Sequence, residues 1–204
     1  MYIPKAFLTT DQSEIISFIK KYSFGTIITV AEGKPIATHL PFLVVEHDEK
    51  MFLKSHFASV NPQAKSLVGQ EILVIFTEPH AYISPKYYEK EQNVPTWNYL
   101  AVHVYGKAKI IENEAGKLQL LEETVQNYEE EYLKQWNNLA LDYKLKMLKG
   151  ITAFEIEITD IQAKKKLSQN KTEIEKQNII KAFENSANRN ENQIAEYMKP
   201  SQTP

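Results

Sequence analysis

The residues best suited to chemistry in this chain are its five histidines, His39, His47, His56, His80 and His103, because it contains no cysteine. Imidazole is the side chain whose charge changes near neutral pH, and it is a common metal ligand. None of the five forms the helical pair with a glutamate that a zincin-type metal site needs. The missing cysteines remove disulfides, thiolate nucleophiles and cysteine-ligated zinc or iron–sulfur sites together. No G-x-S-x-G, Walker or G-x-G-x-x-G pattern occurs, which sets aside a hydrolase triad and a mononucleotide P-loop. His47 reads as a solvated turn residue. His39, His56 and His103 fall within strands, where hydrogen-bonded residues of a barrel wall are the plain reading.

Three stretches say more. In KSHFASVNPQAK a strand ends at Lys54, Ser55 and His56 and feeds a short helix at Asn61. Free N–H groups at a helix start favour an anion, and Lys54, Ser55, Ser59 and Lys65 add donors and charge. An ordinary strand-to-helix connection with its own cap fits equally well. In SPKYYEKEQNVPTWNYLAVHVYG the aromatic residues either pack a barrel or an interface, or stack on a flat ligand. The run KKKLSQNK is either a solvated basic strand end or a segment that closes over a phosphate.

The elements that must position these residues follow from periodicity. TTDQSEIISFIKKY reads as a short amphipathic helix capped by Thr10 or Asp11. TIITVAE, IATHLPFLVVEH and MFLKSH read as three strands joined by tight turns at Glu32–Pro35 and around Asp48. SVNPQAKSLV is a brief helix with Pro62 at its first position, where a missing N–H costs nothing. EILVIFTE is a breaker-free strand. WNYLAVHVYGKAKIIE alternates over a long strand, with Trp97, Tyr99, Ala101, His103 and Tyr105 on one face and Asn98, Leu100, Val102 and Val104 on the other. Both faces carry apolar bulk, so cover on both sides is expected. Residues 116–149 are helical in texture, 151–166 form a last strand, and the polar remainder is helical before a loose KPSQTP tail. The expected architecture is mainly β with α (α+β), a six-stranded antiparallel barrel with flanking helices.

Composition narrows the function classes. Of 204 residues, 43% are hydrophobic and 25% charged, close to a soluble globular domain, which excludes a mainly disordered chain. The 24 basic and 26 acidic residues leave a net charge of -2, and Arg189 is the one arginine. Arginine is the favoured side chain for bidentate contacts to guanine and phosphate, so DNA contact is possible but charge does not support it. The densest lysine run, Lys164, Lys165, Lys166, Lys171 and Lys176, would give nonspecific, salt-dependent binding. No run reaches the length of a membrane helix and the first residues lack signal-peptide order, so no membrane partner and a cytoplasmic location are expected.

The motifs HLPF, H-x-A-x-x-NPQ, HAYISP-x-YY, VPTWNYxAVHVYGKA and KLSQNK, opened by MYIPKAF, resemble the PaiB family from Met1 to about Met198. Its members are described as FMN-binding negative transcriptional regulators linked to sporulation and protease synthesis. The resemblance implies a split barrel related to pyridoxamine phosphate oxidase, homodimeric, with FMN at the subunit interface. It implies residues 1–170 as the FMN-binding domain and 171–204 as a helical extension packed on it. The implied phosphate contacts are Lys54, Ser55, His56, Ala58 and Asn61; the ring lies near Pro95, Thr96, Trp97 and Asn98 of either subunit. Thr38 and His39 add contacts from a neighbouring strand, and Lys171 closes the far side. Haem is the competing ligand, with His56 or His103 as axial base. A flavin-dependent oxidoreductase is the alternative to a regulator, since a flavin brings its own chemistry and the chain need not display a catalytic acid or base.

Overall fold

A computed structural model of the chain describes residues 1–200; Ser201–Pro204, the end of the expected tail, lie outside the described residues. The eight strands are β1 (Leu8–Thr9), β2 (Phe24–Ala31), β3 (Lys34–Pro41), β4 (Leu43–His47), β5 (Lys50–Ala58), β6 (Glu71–Ile83), β7 (Thr96–Ile110) and β8 (Ile151–Lys166). Among the described residues the six α-helices are α1 (Gln12–Lys21), α2 (Glu114–Tyr128), α3 (Leu133–Asn138), α4 (Leu141–Leu148), α5 (Glu173–Glu184) and α6 (Arg189–Met198). Hydrogen bonding orders the strands β3-β2-β6-β7-β8-β5-β4, with β1 added on β8, and the β1–β8, β2–β3, β2–β6, β4–β5 and β5–β8 pairings are antiparallel. The α+β antiparallel reading therefore holds.

Eight strands replace the expected six for two local reasons. The run IATHLPFLVVEH breaks at Phe42 into β3 and β4. Pro41 has no N–H to give the ladder, and the Phe42 N–H leaves it to donate to Ser23 O at 2.8 Å. The Phe42 ring is only 1% exposed and turns inward against Phe76 and Phe154. The other addition, β1, is a two-residue pairing of Leu8 and Thr9 with Lys164 and Ala163, too short to leave a periodic signal.

The chain forms two compact units. The larger comprises residues 16–76 and 103–161. Its core is a ring cluster, Phe57 on Phe154 at 5.0 Å and Phe42 edge-on to Phe76 at 5.7 Å, which fills the inner face of its strands. A second cluster, Leu43, Leu120 and Ala153, seats α2 against β4 and the start of β8. Gly106 is required where it stands: a Cβ there would lie 2.3 Å from Glu157 O.

The smaller unit comprises residues 1–15, 77–102 and 162–200. Its core comes from α5 and α6, with Ile179, Ile180, Phe183 and Ile194 all at most 5% exposed, and Tyr87 packs edge-on to Phe183. Thr172 opens α5 with a complete capping box: its hydroxyl accepts from Glu175 N–H, and the Glu175 carboxylate accepts from Thr172 N–H. No described helix is long and apolar enough to cross a membrane.

Candidate functional site

The expected site residues divide between the units. Thr38, His39, Lys54, Ser55, His56, Ala58 and Asn61 belong to the larger; Pro95, Thr96, Trp97, Asn98 and Lys171 belong to the smaller.

In the larger unit, alternation along β5 sends Leu53, Ser55 and Phe57 inward and Lys54, His56 and Ala58 outward. Ser55 is 3% exposed and donates its hydroxyl to Pro41 O at 2.6 Å, pinning the β3–β4 break. Lys54 Nζ reaches Glu123 of α2 at 3.1 Å, with both side chains less than a third exposed. Burial lowers the His56 imidazole below its ordinary value of 6.5, so it is held neutral. After Ala58 the chain turns through Asn61, whose N–H returns to Ala58 O, into the 3-10 turn Pro62–Ser66.

Asn61 caps that turn by accepting from Gln63 N–H at 3.0 Å, and its amide donates to Thr38 Oγ1 at 3.2 Å. Thr38 in turn donates to Gln63 Oε1 at 2.5 Å. Gln63 is fully buried and donates to the carbonyls of Ile27 on β2 and Ile36 on β3. This glutamine escaped the sequence reading although it ends the NPQ motif. A buried amide between two strands has no periodic signature. His39, on the opposite face of β3, meets Thr26 Oγ1 at 2.9 Å across the β2–β3 register and stacks toward the exposed Phe24 ring.

In the smaller unit Trp97 is 52% exposed, although cover on both faces of its strand was expected; the opposite face, with Asn98 at 0% and Leu100 at 6%, is buried. The indole lies edge-on to Tyr82 at 5.8 Å and tilted against His80 at 6.1 Å, which makes an open aromatic platform on β6 and β7. The backbone behind it is fixed. Lys166 Nζ donates to Thr96 Oγ1 and, at 2.8 Å, to Trp97 O. Asn98 accepts from Ser168 Oγ at 3.1 Å and donates to Met198 Sδ. Burial, then the neighbouring Lys164, lowers the Lys166 ammonium below its ordinary 10.5. In sequence Lys166 stands in a run that reads either as a solvated basic strand end or as a segment closing over a phosphate; its inward aim depends on tertiary packing.

Lys171 is committed to the loop before β7. Its Nζ lies 3.6 Å from the Tyr88 ring centroid and donates to Asn93 Oδ1 at 2.8 Å. Beside it Thr172 donates to Glu89 at 2.8 Å and Glu175 accepts from Glu89 N–H at 3.2 Å. KLSQNK and YYEKEQN thus form one latch. Among the described residues no group of histidine and carboxylate side chains could hold a metal ion.

A family described as "Putative FMN-binding domain" matches residues 1–160. The "Protease synthase and sporulation protein PAI 2" of Bacillus subtilis (strain 168) is 43% identical over 202 residues, covering 98% of this chain and 97% of its own length. Among solved structures, the flavocytochrome Anf3 from Azotobacter vinelandii superposes with a TM-score of 0.65 at 16% identity, over 81% of this chain and 72% of that one. The FAD and heme binding protein from Mycobacterium smegmatis gives 0.61 at 15% identity, over 78% and 72%. At these identities the structural likeness establishes the split-barrel fold. With one family covering three-quarters of its length and a relative alike along nearly all of it, the chain belongs to the PaiB family of FMN-binding-domain proteins.

Proposed function

We propose that the protein binds FMN and works as a homodimeric regulator of the kind its family name describes. The observation that carries the flavin reading is the platform of Trp97, Tyr82 and His80: open aromatic faces on a backbone that Lys166, Ser168 and Met198 hold still. Offset stacking on such rings suits an isoalloxazine. In this reading Pro95, Thr96 and Trp97 of either subunit face the ring, and Lys54, His56, Ala58, Asn61, Thr38 and His39 serve the phosphate end. Ser55 and Asn98 stand behind them as struts, and Lys171 steadies the loop. The donor set fits a phosphate on one condition: Lys54 must exchange Glu123 for the ligand. When bound, FMN supplies the redox chemistry; the chain binds and orients it.

The dimer reading draws on the outer face of the β2–β3 hairpin. Phe24 is 69% exposed and Val30 47%, and Ile28, Ala37 and His39 share their face in register. An uncovered apolar sheet face of this kind suits a second copy.

Regulation by direct reading of DNA finds little support in the lysine run. Lys165 is paired with Glu14 and Lys176 with Glu173. Lys164 lies over Tyr99 and donates to Tyr2 O, while Lys166 and Lys171 are spent as described. Control through a bound metabolite or a protein partner is the better fit.

Haem is the second reading, because His103 is kept neutral by burial, with its Nδ1 buried and unpartnered, and a neutral imidazole is what ligates iron. The test is a titration of the full-length chain with FMN and, separately, haemin. FMN should bind with quenched flavin fluorescence and a raised melting temperature, and light scattering should give twice the mass of one chain. A Soret band without flavin binding moves the assignment to haem. Rapid bleaching by NADPH with turnover in air moves it to an oxidoreductase.

A further inference from the structure

The smaller unit carries a cavity that the flavin reading does not use. It has a volume of about 790 Å³ and is walled by α5, the end of α6, Lys165 of β8 and Glu14 of α1. That size lies in the usual range for small-molecule sites. An adjoining depression of about 340 Å³ shares Lys165 and Tyr197 as a wall and runs on past Leu8, Leu167 and Met198. MYIPKAF and the start of KLSQNK, two of the motifs that mark the family, thus both face this groove, and neither the ring platform nor the phosphate end explains the first of them.

Its walls are fixed. Glu14 and Lys165 pair at 2.5 Å, and Glu184 and Lys199 pair at 2.6 Å. Asn192 ties the α5–α6 connection by donating to Phe183 O at 2.7 Å and Ser186 O at 3.0 Å. Ile180, only 5% exposed, gives an apolar floor. Two opposite charges on the walls have no partner in these pairings: the Lys181 ammonium and the Glu196 carboxylate. A lone phosphate or polycation would find as much repulsion here as attraction, because three lysines and three glutamates line the cavity. An elongated ligand with one charge of each sign would satisfy both.

We propose that this groove binds a short peptide with free ends, its carboxylate on Lys181 and its ammonium on Glu196. The site is independent of the flavin. The full-length chain, with and without FMN, is titrated calorimetrically with tetraalanine and with the same peptide acetylated at its amino end and amidated at its carboxyl end. Free tetraalanine should bind saturably in both states, and the blocked peptide about a hundredfold more weakly, the weight of two charge-assisted hydrogen bonds. Lys181→Ala and Glu196→Ala, both at exposed positions, should each weaken the free peptide about tenfold, one such bond apiece, while FMN binding and melting temperature stay unchanged. Equal binding of free and blocked peptides, indifference to both substitutions, or no saturable heat at millimolar peptide would overturn the assignment.

Discussion

In the larger unit, three neutral side chains, Thr38, Asn61 and Gln63, tie a 3-10 turn to the β2–β3 hairpin, and Gln63 has no solvent exposure. In the smaller unit, a comparable bracket is built from charge and aromatic surface: Lys171 over Tyr88, Thr172 on Glu89 and Glu175 on the Glu89 N–H. Both brackets hold a loop next to residues assigned to the ligand. They differ in what failure leaves behind. Removing the glutamine strands two backbone carbonyls and a hydroxyl at buried or half-buried positions, where an unmet group costs most. Removing the lysine exposes its partners to water, which replaces much of the lost interaction.

The contrast is sharpest in mutation. Gln63→Leu nearly keeps the volume and deletes every hydrogen bond of the side chain, and should cost about 3 kcal/mol of stability, read as a lower urea midpoint at unchanged slope. Lys171→Met should cost about 1–2 kcal/mol, concentrated in the loop. Hydrogen exchange over residues 84–95 should rise severalfold while the larger unit's amides keep their protection. A uniform loss of protection in the Lys171 variant, or a loss confined to one loop in the Gln63 variant, would break the distinction.

The same difference explains what could be read from sequence. The hairpins, the long β7 strand and the helical stretch after Gly116 declare themselves through period, and Asn61–Pro62 announces a helix start by residue type alone. The two brackets do not. Gln63 acts through carbonyls of Ile27 and Ile36, and Lys171 acts through a ring more than eighty residues earlier in the chain. Such pairs come together only on folding, so a motif marks them without giving their function. Lys54 and Ser55 show the limit from the other side. Adjacent in sequence and both read as anion donors, they point to opposite faces of β5, one to Glu123 and one to the interior.

A smaller effect distinguishes the units by pH. His56 and His103 both lie in the larger unit, and burial lowers both below 6.5. Below that value the unfolded chain binds protons that the folded chain refuses. Their contribution is therefore complete above about pH 6.5 and is lost as pH falls toward the depressed values. Melting temperature should decline from neutral pH toward pH 5 at constant ionic strength, and His56→Phe should flatten part of that slope. A decline of undiminished steepness in the variant would remove His56 from the account.

The smallest expected change compares two turns within the larger unit. Glu32–Gly33 joins β2 to β3 and Asp48–Glu49 joins β4 to β5, and all four residues have positive φ, at 53°, 75°, 49° and 60°. Two-residue hairpins need this left-handed geometry at both positions, because its twist matches the flanking strands. Glycine meets it freely at the second position of the first turn. Glu49 occupies the same position of the second, where a Cβ strains against the backbone at about 1–2 kcal/mol. Glu49→Gly relieves that strain but adds freedom to the unfolded chain, which returns up to about 1 kcal/mol. The net expectation is a gain of about 0.5 kcal/mol. Gly33→Glu reverses the exchange and should lose a similar or larger amount, since nothing lies within 4 Å of its added Cβ and conformational strain alone decides the outcome. Chemical denaturation of both variants beside the parent checks the pair. If Glu49→Gly destabilises, contacts of the glutamate side chain outweigh the strain and the two turns are not equivalent.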